Sequence, residues 1–243
     1  MPPKLYHELA SWFHLLTAPE DYAEEAEFYR QTLVAACDRP PVTVLELGSG
    51  GGNNASHMKA HFTLTLTDLS PQMLAISRTI NPELEHIEGD MRTLRLGREF
   101  DAVFVHDAVM YLTTEAGLRA AMETAFVHCR PGGVALFAPD CVREAFAPKT
   151  SHGGHDGADG RALRYLEWTW DPDPSDSEYN VDFAYLLREP DGAVHIEQDR
   201  HVFGVFARDT WLRLVAACGF RAEVVQEPEE LGSEVFVARK PAG

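Results

Sequence analysis

Between Val42 and Asn54 the chain reads Val-Thr-Val-Leu-Glu-Leu-Gly-Ser-Gly-Gly-Gly-Asn-Asn, and no other stretch restricts the fold as much. Val42 to Leu47 has the length and the largely apolar, β-branched make-up of one strand buried inside a parallel sheet. Gly48, Gly50, Gly51 and Gly52 then remove Cβ atoms where the backbone has to turn sharply, and Asn53 or Asn54 is placed to cap the helix that follows. Strand, glycine turn and helix start together predict an open α/β sheet with its ligand site at the carboxyl end of this strand.

The glycine spacing narrows the ligand. A dinucleotide fingerprint carries glycines at relative positions one, three and six. Here the sixth position is Asn53, the alternate glycines fall at Gly48, Gly50 and Gly52, and Glu46 stands two residues before the first. A carboxylate at that point repels a pyrophosphate and suits a ligand that presents an ammonium group. The pattern acidic-x-Gly-x-Gly-x-Gly resembles the nucleotide-binding loop of class I S-adenosylmethionine-dependent methyltransferases.

The following units keep the rhythm of such a fold. After a helix over 55–60, Phe62 to Asp68 alternates as a strand and ends in an acid 22 residues beyond Glu46, near the offset at which a βαβ unit presents a carboxylate to two ribose hydroxyls. Leu69-Ser70-Pro71-Gln72-Met73 reads as the start of the next helix, with Ser70 as cap and Pro71 in the first turn. A third strand, Leu84 to Glu88, closes on Asp90-Met91, and a fourth, Phe100 to Val105, closes on His106. Thr114 to Arg130 is an amphipathic helix, Pro131-Gly132-Gly133 breaks the chain, and Val134 to Phe137 is the fifth strand.

Two regions depart from this alternation. Tyr6 to Cys37 reads as two helices, parted at Ala18-Pro19, whose Asp21-Tyr22-Ala23-Glu24-Glu25 resembles the segment that closes over the cofactor in small-molecule methyltransferases; Tyr22 and Tyr6 are candidates for the pocket wall. Between 140 and 207, a glycine-rich mobile loop (Ser151 to Gly160) precedes three strand-like runs, Arg164 to Trp170, Tyr179 to Leu187 and His195 to Phe206, the last two joined by a turn at Pro190-Asp191-Gly192. Tyr165, Trp168, Trp170, Tyr179 and Tyr185 are candidates for a substrate wall or for simple sheet packing. His152, His155 and Asp156 have spacing that suggests a metal, but the surrounding glycines supply no second shell, and a solvated loop is the better reading. The chain finishes with a helix from Asp209, its expected cap, to Cys218, a strand Arg221 to Val225, a polar loop Glu227 to Gly232 and a last strand Glu234 to Ala238.

The expected fold is therefore α/β: a three-layer, doubly wound, Rossmann-like sheet of seven mostly parallel strands with the last antiparallel, plus an antiparallel β insertion over the active site. One methyltransferase domain is expected, with a helical cap (1–40), a cofactor-binding core (41–139), an insertion or lid (140–207) and a C-terminal helix and strands (208–243). The resemblance implies S-adenosyl-L-methionine as cofactor, S-adenosyl-L-homocysteine as product, and a small-molecule acceptor methylated on N or O by in-line displacement. It places Tyr22, Glu46, Gly48, Ser49, Gly50, Gly52, Asp68, Leu69, Met73, Asp90, Met91 and His106 around the cofactor, with Asp68 on the ribose, Asp90 on the adenine amine and Met91 on the adenine ring. His106, at the switch point of the sheet, is the candidate general base.

Charge and cysteine usage bound the partners. A net charge of -17 argues against a phosphate backbone, which needs clustered Lys and Arg. No run of about eighteen apolar residues suggests a membrane span, the start Met1-Pro-Pro-Lys-Leu-Tyr has no signal core, and Cys37, Cys129, Cys141 and Cys218 are scattered as free thiols suited to a reducing cytoplasm. The expectation is a cytoplasmic monomer or homodimer with no nucleic-acid or membrane partner. Two rival readings are a nicotinamide-dependent oxidoreductase, opposed by Asn53 and Glu46, and an S-adenosylmethionine-binding protein without catalysis.

Overall fold

The computed structural model describes residues 3–228 and 234–242. Part of the polar loop expected over 227–232 lies outside the described residues.

In chain order, a helix α1 (Phe13–Leu16) and a helix α2 (Ala23–Ala36) lead into β1 (Thr43–Leu47), α3 (Asn53–Met58), β2 (Thr63–Asp68), α4 (Pro71–Ile80), β3 (Glu85–Glu88), β4 (Phe100–Val105), α5 (Glu115–His128) and β5 (Cys129–Phe137). Four strands follow, β6 (Lys149–Gly153), β7 (Ala162–Trp170), β8 (Glu178–Arg188) and β9 (Val194–Gly204), then α6 (Arg208–Ala217), β10 (Arg221–Gln226) and β11 (Glu234–Arg239). The seven-stranded sheet runs β10-β11-β5-β4-β1-β2-β3, parallel except for β11, which lies antiparallel to both neighbours. The expected fold class is what is seen. β1, β4 and β5 are in the middle and almost wholly buried, because helices cover both faces of a parallel sheet. One apolar layer gathers Leu45, Val103 and Phe137 with α5 and α6; the other gathers Val44, Phe104 and Leu136 with α2 and α3.

The second sheet, β6-β7-β8-β9, is an antiparallel meander. Its inner face carries Tyr165, Tyr179, Phe183 and His201, and its outer face leaves Leu166, Trp168, Leu186 and Ile196 exposed. Strand β6 corrects the expected loop: Lys149 to Gly153 pairs residue by residue with Gly153↔Tyr165 to Lys149↔Thr169. Its Lys-Thr-Ser-His-Gly composition shows no alternation, and the pairing rests on backbone bonds at a sheet edge.

Other departures are local. The first expected helix is three short turns, 4–6 and 10–12 in 3₁₀ form and then α1, held by Leu9 and Trp12 packing on the small sheet and by the Leu5 N–H donating to Asp199. Pro131-Gly132-Gly133 belongs to β5 rather than interrupting it; the register shifts between Phe100 and Ala102, a bulge that accommodates proline's missing N–H. Asp209 does not cap α6; the Arg208 N–H donates instead to both oxygens of Glu144, 3.1 Å away on the preceding loop. Nor do Asn53 and Asn54 cap α3, whose N-cap is Gly52 at φ +77°.

Candidate active site

The carboxyl ends of the central parallel strands open into a cavity of about 1390 Å³, roofed by the N-terminal turns and walled by the inner face of the small sheet. At the end of β1 the backbone N–H groups of Gly48 and Ser49 both donate to the Thr67 carbonyl, at 2.8 and 2.9 Å, fixing the loop against β2. Gly48 stands at φ +77°, and a Cβ there would overlap the Ala108 methyl and crowd the Met91 Cε, so the chains after β1 and β4 approach as closely as they do only over glycine. Asp68 ends β2 with Oδ2 accepting from Gly50 N–H (2.9 Å) and Oδ1 from Ser70 N–H (2.8 Å). Burial nevertheless leaves its pKa raised.

Glu46 is the most unusual group. Its side chain is buried within a strand, 3 % exposed, and burial in the company of Asp68 and Glu25 pushes its pKa up to about 8 despite His106 nearby. Its Oε2, like the hydroxyl of buried Ser49, has no hydrogen-bond partner among the described residues. Buried polar atoms are seldom left so. Both line the cavity beside a glycine cradle, so a ligand bearing an ammonium group fits there.

Of the sequence-chosen residues, Tyr22, Glu46, Gly48, Ser49, Gly50, Asp68, Leu69, Asp90, Met91 and His106 line this one cavity, and so does Tyr6. Gly52 and Met73 do not. Gly52 faces α4, where a Cβ would overlap the Ser77 hydroxyl and the Asn81 amide, and its carbonyl accepts from Asn81 Nδ2 at 2.9 Å. Met73 is fully buried beneath the loop, its N–H held by the Ser70 cap. Asp90 is gripped by Arg92, whose Nη2 donates at 2.6 Å and whose guanidinium holds the carboxyl below its usual pKa. Tyr165 and Tyr179 join the wall, whereas Trp168 and Trp170 lie on the outer face and Tyr185 is packed under Leu9 and Trp12.

His106 lines the cavity between two carboxylates that favour its charged form. Its Nε2 lies 2.9 Å from Asp107 Oδ1 and 3.3 Å from Glu25 Oε1, while Nδ1 is 3.3 Å from the Asn54 amide. Burial favours the neutral ring, yet the two carboxylates outweigh it and raise the pKa well above the usual value. The charged ring is thereby favoured over the neutral one that a base requires. Asn54 Nδ2 also donates to Glu25 Oε1 at 2.9 Å, so the amide bridges that carboxylate and the ring. Beyond it, Asp107 and Asp140 are hydrogen-bonded to each other. Burial opposes both charges, but His106 lowers the pKa of Asp107, whereas burial and Asp107 together raise that of Asp140 well above the usual value. Half of the Asp107 side chain is solvent-reachable through the cavity, so this pair responds to whatever fills it.

The residues that sequence reasoning passed over are Asp107, Tyr111, Asp140 and His201, all in the cavity wall. Asp107 and Tyr111 share the turn after β4 with His106, and Asp140 follows β5, so their places at strand ends were the available signal. His201 comes from the insertion, where nothing in the pattern said which face looks inward. Among the described residues no cluster of three His, Cys, Asp or Glu side chains is arranged to hold a metal ion; His155 pairs with Asp21 at 3.0 Å instead.

Comparison with known proteins agrees with this geometry. A family model described as a methyltransferase domain matches residues 44–133. The dTDP-3-amino-3,6-dideoxy-alpha-D-glucopyranose N,N-dimethyltransferase of Streptomyces fradiae is 29% identical over 206 residues, 84% of this chain and 79% of that one. The crystal structure of DesVI from Streptomyces venezuelae superposes with a TM-score of 0.84 at 26% identity, covering 97% and 98% of the two chains. The S-adenosylmethionine-bound structure of CalS10, an amino pentose methyltransferase from Micromonospora echinaspora, gives 0.79 at 25% identity, covering 96% of each.

Proposed function

We propose that this chain is a class I S-adenosylmethionine-dependent methyltransferase that transfers a methyl group to a small-molecule acceptor, and that the acceptor atom is the nitrogen of an amine carried on a sugar or similar ring. The observation that carries this reading is the charge of the cavity: ten Asp and Glu side chains line it, against Arg92 and Lys149 as the only permanent cations among its lining residues. Even with Glu46 and Asp140 neutral, such a site concentrates an ammonium. Relatives whose names specify amino-sugar N-methylation support the amine.

The cofactor supplies a methyl group already activated by its sulfonium. The protein's part is to hold the two reactants in line. Glu46 Oε2 and Ser49 Oγ would receive the ammonium of the amino-acid end, Asp68 both ribose hydroxyls, and Asp90 the adenine amine, with Met91, Leu69 and Tyr22 packed around it and the backbone at Gly48 and Gly50 in close approach. Gly52 and Met73 support the loop from behind. Alignment and exclusion of water of this kind supply roughly 7–11 kcal/mol of a barrier. His106, held as a cation by Glu25 and Asp107, orders the floor rather than moving a proton. We further propose that the protein works in the cytoplasm as a monomer or homodimer, without nucleic-acid or membrane partners; its net charge of -17 and four free cysteines support this.

The test is a panel of amino-sugar methyl glycosides and their hydroxyl counterparts incubated with S-adenosylmethionine, with products read by mass spectrometry. Methyl gain confined to amines is expected. Methylation of the hydroxyl analogues at equal rates would refute nitrogen as the acceptor atom.

A further inference from the structure

A chain of hydrogen bonds runs from the cavity into the small sheet and is used by nothing described so far. The Tyr6 and Tyr111 hydroxyls are 2.9 Å apart. The Tyr111 hydroxyl lies 2.7 Å from His201 Nδ1, and His201 Nε2 lies 3.1 Å from Asp199 Oδ2. Asp199 in turn accepts from the Leu5 backbone N–H at 3.0 Å. Its charge persists: burial opposes it, but the His201 ring and the Leu5 and Lys4 backbone bonds outweigh burial and lower its pKa. The pattern fixes the tautomer, since a carboxylate can only accept: Nε2 carries the proton and Nδ1 is open to the Tyr111 O–H. Tyr6, Tyr111 and His201 all line the cavity, while His201 is itself 2 % exposed.

We propose that Tyr6, Tyr111 and His201 form a proton relay that strips the acceptor ammonium before methyl transfer, with Asp199 as the positioning residue that keeps Nδ1 turned toward Tyr111. The inference rests on the amine reading above. An ammonium has no lone pair, and the carboxylates beside His106, the base suggested by sequence, favour its charged form. In the relay the substrate N–H bond breaks as Tyr6 Oη takes that proton, the Tyr6 proton passes to the Tyr111 oxygen, and the Tyr111 proton passes to His201 Nδ1. The net change is one proton moved from nitrogen to imidazole, leaving a neutral amine beside the donor and an imidazolium paired with Asp199. Both hydroxyls are neutral before and after, which suits groups whose ionisation burial makes costly. The titratable groups facing His201 are Asp199 on its own strand, Tyr6 from the N-terminal turns and Tyr111 from the turn after β4; Lys4 and Tyr185 act on Asp199, and Asp140 acts on both tyrosines.

The test compares His201→Asn, which keeps an acceptor near Tyr111 but takes up no proton, with Tyr111→Phe and the double variant, on whichever glycoside of the panel is turned over. Each single change is expected to lower kcat about 100-fold near pH 7, the range for loss of a general base. The double variant should be no worse than either, and both should recover about tenfold per pH unit as the amine loses its proton in solution. Losses that multiply, or a pH profile parallel to that of the unaltered protein, overturn the relay. If the methyl is found on oxygen, the amine reading fails by itself, and the same variants still decide whether the wire serves the hydroxyl. If no glycoside reacts, ¹⁵N spectra of the neutral His201 ring decide: a proton on Nε2 with Nδ1 accepting supports the relay, and a proton on Nδ1 overturns it.

Discussion

Replacing Glu46 by Gln should make the protein more stable and a poorer cofactor binder at once. With its pKa near 8, the carboxyl is about nine-tenths protonated at pH 7 in the empty site. An acid whose folded pKa lies above its ordinary 4.5 contributes its full stability below pH 4.5 and loses it as pH rises through 8. At pH 7 the 2.5-unit gap corresponds to a burden of up to about 3 kcal/mol, which Gln, an analogue of the neutral form, does not carry. An ammonium arriving at Oε2 reverses the preference and ionises the carboxyl. Cofactor binding at pH 7 should therefore release about 0.8 proton, net of a small uptake by the ligand's own α-amino group. Titration calorimetry in two buffers of different ionisation heat reads this directly. In Glu46→Gln the release should vanish and affinity fall about 10- to 150-fold, the value of a charge-assisted bond. Identical heats in both buffers for the unaltered protein, or a variant that loses stability together with affinity, would show that Glu46 does not meet a cation.

Three further expectations test the frame around it. Asp68→Ala should weaken cofactor affinity at least tenfold in the same calorimeter and release the Gly50 N–H, while leaving the fold intact by circular dichroism. Gly52→Ala forces a left-handed residue into the Ser77 and Asn81 side chains and should cost about 2–5 kcal/mol in urea unfolding; a cost under 1 kcal/mol would mean that α4 moves aside freely. Asp101 is buried, yet N–H donors from Val42 and Thr43 and the Arg130 guanidinium outweigh burial and hold its pKa well below 3.8. Its contribution is thus present above pH 3.8 and lost as pH falls further, so Asp101→Asn should cost about 3 kcal/mol at pH 7 and progressively less in acid.

The parallel core was legible because β1, β4 and β5 contain short apolar runs and β1 and β2 end at a glycine and an acid, and patterns of that kind survive tertiary packing. The loop glycines and Asp68 were legible for the same reason: their backbone demands are local. What sequence could not give was the electrical state of His106. A histidine after a strand reads as a base until Glu25, 81 residues earlier, is brought to its Nε2. Strand β6 was hidden because its side chains contribute nothing to its pairing. The wall from the small sheet was hidden because alternation says that two faces exist but not which one meets the cavity. Asp209 looked like a cap by position, and Glu144 took the part through a loop that no pattern places.

The turns that roof the cavity are fastened on both sides by side chains. Lys4 reaches Glu197 at 2.7 Å and Leu5 reaches Asp199 on the small sheet; Tyr6 O accepts from Ser70 Oγ at 2.6 Å, His14 meets Gly51 O at 3.2 Å, and Thr17 O meets Asn53 at 3.3 Å on the glycine-loop side. The cavity therefore has a door latched by a handful of bonds worth about 1 kcal/mol each. Cargo fused ahead of Lys4 would hang from that door, whereas Lys240, bonded to Gly133 at the opposite end of the sheet, belongs to the frame. A tether attached on the Lys240 side therefore leaves the door free to move.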